Sequence, residues 1–208
     1  ILEAGCGTGT FASLMKARWP YPVHVIDLAM EGLRFARPAG LDGLAQADIR
    51  ALPFADGSFD AVLSLDVIVH LERGREQVAF DELARVLRPG GVAVIRTSAL
   101  DILRSKHSEF THERQRFTRP RIVAAAVKSG LAVRRCTYLN CFLLPVALLK
   151  FRVWEPLFSS GPSSGLTQPP AFLNRALAAI LGWELEFLRV GIDLPAGQSV
   201  LLVARKAA

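Results

Sequence analysis

Short apolar runs alternate with segments of helical spacing along this chain, and few folds accept that order. Residues 1–4 lead into Gly5-Cys6-Gly7-Thr8-Gly9, and residues 11–19 then keep helical spacing until Pro20. Residues 23–26 read as a second strand ending at Asp27, followed by a helical stretch, 30–37, that Pro38 closes. Strands are expected at 44–47 and 59–65 and an amphipathic helix at 76–87. A turn at Arg88-Pro89-Gly90-Gly91 then delivers a fifth strand at 92–97. Residues 120–128 look helical, and 131–138 and 199–204 look like strands. Strands joined through helices pair in parallel by right-handed crossovers, so the pattern predicts a doubly wound α/β fold with a mostly parallel sheet.

Composition agrees with a sheet covered on both faces. The chain has 208 residues, 51% of them hydrophobic, and a mean hydropathy of +0.30, which suits a single domain with one core. The longest apolar stretch, 141–149, contains Pro145 and ends at Lys150. It falls short of the roughly 18 to 20 residues that cross a bilayer. Cys6, Cys136 and Cys141 are odd in number and lack CxxC spacing, which argues against a disulfide framework or thiolate metal site and for a reducing cytoplasm. The formal charge of +6 is dispersed, and Arg134-Arg135 is too short to track phosphates, so nucleic acid is not the expected partner. The sequence opens on Ile1 rather than Met, and a missing N-terminal piece is expected.

Some sixty residues separate the last two expected strands. This insertion, 140–190, holds an apolar helical segment at 142–158, a Ser/Gly/Pro stretch at 159–170 and a second helical segment at 172–190. An excursion of that length in a compact domain is characteristic of a lid or binding element.

The glycine turn carries most of the chemistry. Glycine permits close backbone approach and positive φ, and the helix that follows aims its free amides at a ligand. The spacing is GxGxG, with Gly5, Gly7 and Gly9 but no glycine at position 10, and so departs from the dinucleotide GxGxxG. Asp27 closes the second strand eighteen positions after Gly9, where a carboxylate accepts from ribose hydroxyls or caps the next helix. Asp48 closes the third strand in the same way, facing an adenine amine or serving as a turn aspartate.

Three ordered motifs resemble the class I S-adenosylmethionine-dependent methyltransferases, nearest the ubiquinone/menaquinone-biosynthesis type. They are Ile1-Leu2-Glu3-Ala4-Gly5-Cys6-Gly7-Thr8-Gly9, the run from Asp48 to Phe54 followed by Asp56-Gly57-Ser58-Phe59-Asp60, and Leu87-Arg88-Pro89-Gly90-Gly91. The resemblance spans Ile1 to about Tyr138 and implies a seven-stranded sheet with an antiparallel final strand, S-adenosylmethionine lying across the ends of the first four strands. It assigns Glu3 to the methionine part of the cofactor and packs Gly5, Cys6, Gly7 and Gly9 against it. Asp27 would bind the ribose, Leu28 and Ile49 would sandwich the adenine, Asp48 would meet its amine, and Ser64, Leu65 and Asp66 would face the methionine amino group. Val25 stands where the family often has glycine and Ala29 where a serine cap is usual. The helix that normally precedes the first strand is absent, so the expectation is one methyltransferase domain, 1–208, with a lid at 140–190.

Methyl transfer from a sulfonium needs alignment and exclusion of water more than a metal, and no metal site is expected. Where the acceptor must lose a proton, His70, just past the fourth strand, is the candidate base with Asp66 one turn before it; a surface histidine at a helix start is the plainer reading. His107 and His112, in the 106–116 loop, line the acceptor side or belong to a solvated charged loop. Phe142, Leu144 and Leu148 stand in the apolar lid, which either packs on the sheet or covers a hydrophobic acceptor such as a quinone precursor or lipid, resting on a membrane surface. Two alternatives stay open: a non-catalytic S-adenosylmethionine-binding relative and a nicotinamide-dependent oxidoreductase.

Overall fold

The computed structural model describes residues 1–158 and 170–207. The expected Ser/Gly/Pro stretch lies outside them apart from Pro170. Seven strands, β1 (Leu2–Ala4), β2 (His24–Asp27), β3 (Gly43–Gln46), β4 (Phe59–Leu65), β5 (Leu87–Ser98), β6 (Leu131–Leu139) and β7 (Ser199–Lys206), form one sheet in the order β3-β2-β1-β4-β5-β7-β6. Strands β1 to β5 pair in parallel, and β7 runs antiparallel between β5 and β6. The chain steps outward from β1 to β3 and then returns to β4 on the other side of β1. The reversal leaves a crevice beyond the carboxyl ends of β1 and β4, where ligands of open α/β sheets bind.

Among the described residues eight α-helices accompany the strands: α1 (Thr10–Arg18), α2 (Met30–Ala36), α3 (Glu76–Val86), α4 (Lys106–Phe110), α5 (Arg119–Lys128), α6 (Leu144–Leu149), α7 (Glu155–Phe158) and α8 (Ala171–Arg189). Alternation along β2 separates the two faces of the sheet, because successive side chains of a strand point to opposite sides. Val25 joins Ala12, Met15, Leu33 and Ala36 under α1 and α2. Ile26 joins Leu2, Ala4, Phe80, Leu83 and Ile122 under α3 and α5. Both clusters are buried, as a doubly wound sheet requires.

Two expectations change in detail. The turn at residues 88–91 lies inside β5: Phe59 pairs with Leu87 and Ala61 with Val92, so the extra residues loop out of register, with Gly90 at a φ of 77°. The ladder resumes across the bulge because the buried Leu87 already anchors its start. The 106–116 segment, read as a loop, contains α4. Ser105 caps it by accepting from the Ser108 amide, and the Ser108 side chain accepts from Ser105 in return. Five residues are too few to show an apolar period.

The 48–58 segment is held from α3 by one side chain. Arg85 donates to the Leu52 and Phe54 carbonyls at 2.9 and 2.8 Å and to Asp56 at 2.8 Å, while its Nε donates to Glu82 at 2.6 Å. The other Glu82 oxygen accepts the Leu52 amide at 2.7 Å. Replacing Arg85 with methionine leaves the two carbonyls without their side-chain donor and the Glu82 carboxylate with only the Leu52 amide. Arg85→Met is expected to cost about 2 to 3 kcal/mol, read as a lower urea midpoint at unchanged slope, and Arg85→Lys should recover only part of it because an ammonium cannot reproduce the guanidinium fork.

Candidate functional site

The carboxyl ends of β1, β2, β3 and β4 enclose a groove of about 810 Å³. Its floor is the glycine turn, fixed by backbone contacts: the Gly5 and Cys6 amides both donate to the Ile26 carbonyl, at 2.8 and 3.0 Å, and the Gly7 amide donates to the Asp27 carboxylate at 2.7 Å.

The glycines answer to different constraints. A Cβ on Gly5 would stand 2.1 Å from the Val67 side chain, and one on Gly9 would stand 2.5 Å from Ala36, so these two permit packing against β4's exit and α2. A Cβ on Gly7, at a φ of 52°, would meet nothing within 4 Å. Gly7 lines the groove, and any side chain there would project into open space. Gly32, inside α2, completes the arrangement, since its Cβ would fall 2.5 Å from the Gly7 carbonyl oxygen. A lone glycine in a helical pattern signals such a close approach.

Of the residues expected to bind cofactor, Gly5, Gly7, Asp27, Leu28, Asp48, Ile49 and Leu65 line this groove together. Cys6, Gly9, Glu3 and Ser64 lie behind it. Asp27 accepts from both Gly7 and the Ala29 amide, the latter at 2.8 Å; ribose binding and helix start are therefore not exclusive, because a carboxylate has about four acceptor positions. Leu28 is 68% exposed and Ile49 5%. Asp48 is engaged by Arg50, which donates to both its oxygens and holds the carboxyl below its ordinary value. Arg50 also lines the groove and was not anticipated; a basic residue two positions after a strand-end aspartate was the available signal.

Glu3 is buried beside the turn. Burial pushes its carboxyl up to about 7, against the Ala12 amide that favours the charged form, with Asp27 adding to the rise. Its Oε2 and the Ser64 hydroxyl are buried without a hydrogen-bond partner. Cys6 is also buried, and its thiol is pushed up to about 12 by that burial and the nearby Asp27 and Glu3.

Asp66 and His70 line the groove and also a second cavity of about 420 Å³. Asp66 has a φ of 58°, a strained setting at a strand exit. Its carboxylate pairs with Arg96 of β5, and Oδ1 stays buried and unpartnered. His70 sits in a 3-10 turn, Ile68–His70, with Nδ1 3.4 Å from the His112 carbonyl. Asp66 thus pairs with the neighbouring strand, and Arg96, a charge inside an apolar strand, was the sequence signal for it.

The second cavity is polar. Its wall includes Ser98, His107, Glu113, Arg116, Asn140, Lys150, Phe151 and Glu155. Glu113 and Arg116 form an ion pair whose side chains are 10% and 9% exposed. Burial alone would raise the Glu113 carboxyl, but the Ser98 hydroxyl and Arg116 hold it below its ordinary value. From the lid, the cavity meets Lys150, Phe151 and Glu155 rather than Phe142, Leu144 or Leu148; Phe142 packs edge-on against Phe187. Among the described residues no three His, Cys, Asp or Glu side chains gather in a metal-binding group, and no helix is long and apolar enough to cross a membrane.

Residues 2–95 match the methyltransferase domain family. The chain is 43% identical over 96 residues to a fatty-acid O-methyltransferase of Mycolicibacterium smegmatis, covering 44% of this chain and 34% of that protein. It is 35% identical over 111 residues to a malonyl-[acyl-carrier protein] O-methyltransferase of Herminiimonas arsenicoxydans, covering 53% and 41%. The chain thus spans well under half the length of these curated relatives. A solved S-adenosylmethionine-dependent methyltransferase from Mesorhizobium loti shares the fold, with a TM-score of 0.65 at 18% identity over 99% of this chain and 89% of that one. These matches do not favour the oxidoreductase or the non-catalytic alternative. The family match over the glycine turn and most of the first five strands, together with a seven-stranded sheet that carries an antiparallel final strand, bears out the resemblance: residues 2–95 match a methyltransferase domain, and the fold is that of solved S-adenosylmethionine-dependent methyltransferases.

Proposed function

We propose that this chain transfers a methyl group from S-adenosylmethionine, held in the glycine-floored groove, to a small or lipid-like acceptor in the adjoining polar cavity. The observation that carries the proposal is the space at Gly7: an open position on the groove floor, its amide fixed by Asp27, with Asp48 on the same groove wall. When bound, the cofactor supplies a methyl made electrophilic by a sulfonium. Asp27 is proposed to take the ribose hydroxyls, Leu28 and Ile49 the adenine faces, and Asp48, with Arg50 beside it, the adenine edge. Glu3 and Ser64, each with a buried unpartnered oxygen, are proposed to support the methionine end from behind the turn. His70, at the junction of groove and cavity, would take a proton from a hydroxyl or carboxylic acceptor, and Asp66, clamped by Arg96, would fix the negative charge at the same junction.

The relatives' names, a fatty-acid and a malonyl-[acyl-carrier protein] O-methyltransferase, support an oxygen acceptor on a lipid-like molecule. The lid, 140–190, is proposed to select it, through Lys150, Phe151 and Glu155. A cytoplasmic setting fits the three free cysteines, and contact with a membrane surface fits the exposed apolar side chains of the lid. The deciding experiment is a turnover assay with isotope-labelled S-adenosylmethionine against fatty acids and acyl thioesters.

Asp27→Ala should weaken S-adenosylmethionine binding by about 1.5 to 3 kcal/mol, the range for lost hydrogen bonds to a charged acceptor. Calorimetry on a variant with a native melting temperature checks this, and unchanged affinity would remove Asp27 from the ribose. Glu3 yields a pH dependence. Its carboxyl is protonated below about 7, and a cationic cofactor favours the ionised form, so binding lowers its pKa and releases a proton. Affinity should climb as pH rises from 6 to 8. Glu3→Gln should flatten that profile, and an equally steep profile in the variant would exclude Glu3 as its source.

A further inference from the structure

The first lid helix runs from α6 through a π-helical turn, Lys150–Trp154, into α7, and it has two unlike faces. Its inner face brings Phe151 and Glu155 to the acceptor cavity, and Glu155 is anchored there by the Lys106 amide at 3.0 Å. Its outer face repeats Val146, Leu149, Val153 and Leu157 at intervals of three and four residues, one side of a helix. These four are 57%, 63%, 48% and 68% exposed, and of residues 144–157 only Ala147 is buried. Lys150 and Arg152 project on opposite flanks of this stripe at helical spacing, and both are exposed.

The second lid helix repeats the theme. Of the 19 residues of α8 only Glu184 is buried, while Phe172, Trp183 and Phe187, with Val190 just past its end, are exposed along one side. Glu184 ties α8 to the segment that leads into the first lid helix by accepting the Asn140 and Phe142 amides. The carboxylates of the lid do not offset its cations at the surface: Glu155 turns inward, Glu184 is buried, and Glu186 pairs with Arg189 at 2.8 Å. Lys150, Arg152 and Arg175 therefore border the apolar surface with net positive charge.

We propose that the outer face of the lid docks on an anionic lipid bilayer, placing the acceptor cavity at the membrane surface. An apolar stripe bordered by cations whose stems can lie along it is the pattern of a helix resting in the bilayer interface, and neither helix is long and apolar enough to span. Charge complementarity favours lipid over a second copy of this chain, which would bring the same cations to face each other. Lys150 joins the two roles, since it lines the cavity and borders the stripe. A lipid acceptor with an anionic head passes over it from bilayer to cavity. The proposal rests on the methyl-transfer reading only for the identity of the acceptor.

The test uses the full chain with vesicles of phosphatidylcholine alone or with one quarter phosphatidylglycerol. Cosedimentation should be at least tenfold greater with the anionic vesicles and fall with added salt, accompanied by a blue shift of tryptophan emission. Leu149→Glu with Val153→Glu should abolish binding to both. Arg152→Glu with Arg175→Glu should reduce anionic binding to the neutral level. All four positions are exposed, so melting temperature should hold. Should the first pair fail to fold, the second alone decides. Wild-type protein that stays in the supernatant with both vesicles overturns the proposal, as does dimerisation through the stripe without vesicle binding. S-adenosylmethionine affinity, measured separately without lipid, tells failure of this proposal from failure of the methyl-transfer reading.

Discussion

The turn between β1 and α1 is pinned to the end of β2 by three amides, two on the Ile26 carbonyl and one on the Asp27 carboxylate, and the groove depends on that pin. It fixes the spacing between β1 and β2 at their carboxyl ends, forces the backbone into left-handed conformations at Gly5, Gly7 and Gly9, and brings the turn against α2 so tightly that Gly32 has no room for a side chain. Only glycine meets those demands without strain. Asp27 is thus both a support for the turn and the acceptor best placed for a ligand lying over it. A preformed floor of this kind costs a ligand little reorganisation.

The second feature of the site is charge that is paired but incompletely hydrogen-bonded. Asp66 with Arg96 and Glu113 with Arg116 each leave polar atoms buried without partners. Removing ions from water is costly even when they are paired, and unsatisfied groups inside a cavity are the ones a polar ligand can complete. Asp66, Glu113 and Arg116 stand on the walls of the same cavity. Positive φ values at Asp66 and Asn140, both on that wall, show strain in the same place. The cavity is lined by polar side chains together with Val69 and Phe151, and most apolar side chains of the lid lie outside it.

Much of the fold was legible because its determinants are local. Apolar period, proline stops and glycine turns marked each of the seven strands to within a few residues, with β4 at its observed bounds. In the groove-lining set, Gly5, Gly7, Asp27 and Asp48 followed from the glycine turn and the strand ends, whereas Leu28, Ile49 and Leu65 followed from the family resemblance. The short helix α4 and the bulge in β5 escaped because each is set by a few hydrogen bonds rather than by a repeated pattern.

By itself, then, the sequence determined the alternation of strands and helices, the glycine turn and the acidic strand ends, since periodicity and backbone permissiveness act over a handful of neighbours. Tertiary structure alone decided which charges meet. Arg96 reaches Asp66 across thirty positions, Arg85 reaches back to Leu52 across thirty-three, and Glu184 reaches Asn140 across forty-four. It also decided that one helix of the lid shows a polar face to the cavity and an apolar face to solvent. Such pairings depend on distances that exist only once β4, β5, β6 and the lid have packed, and no pattern along the chain encodes them.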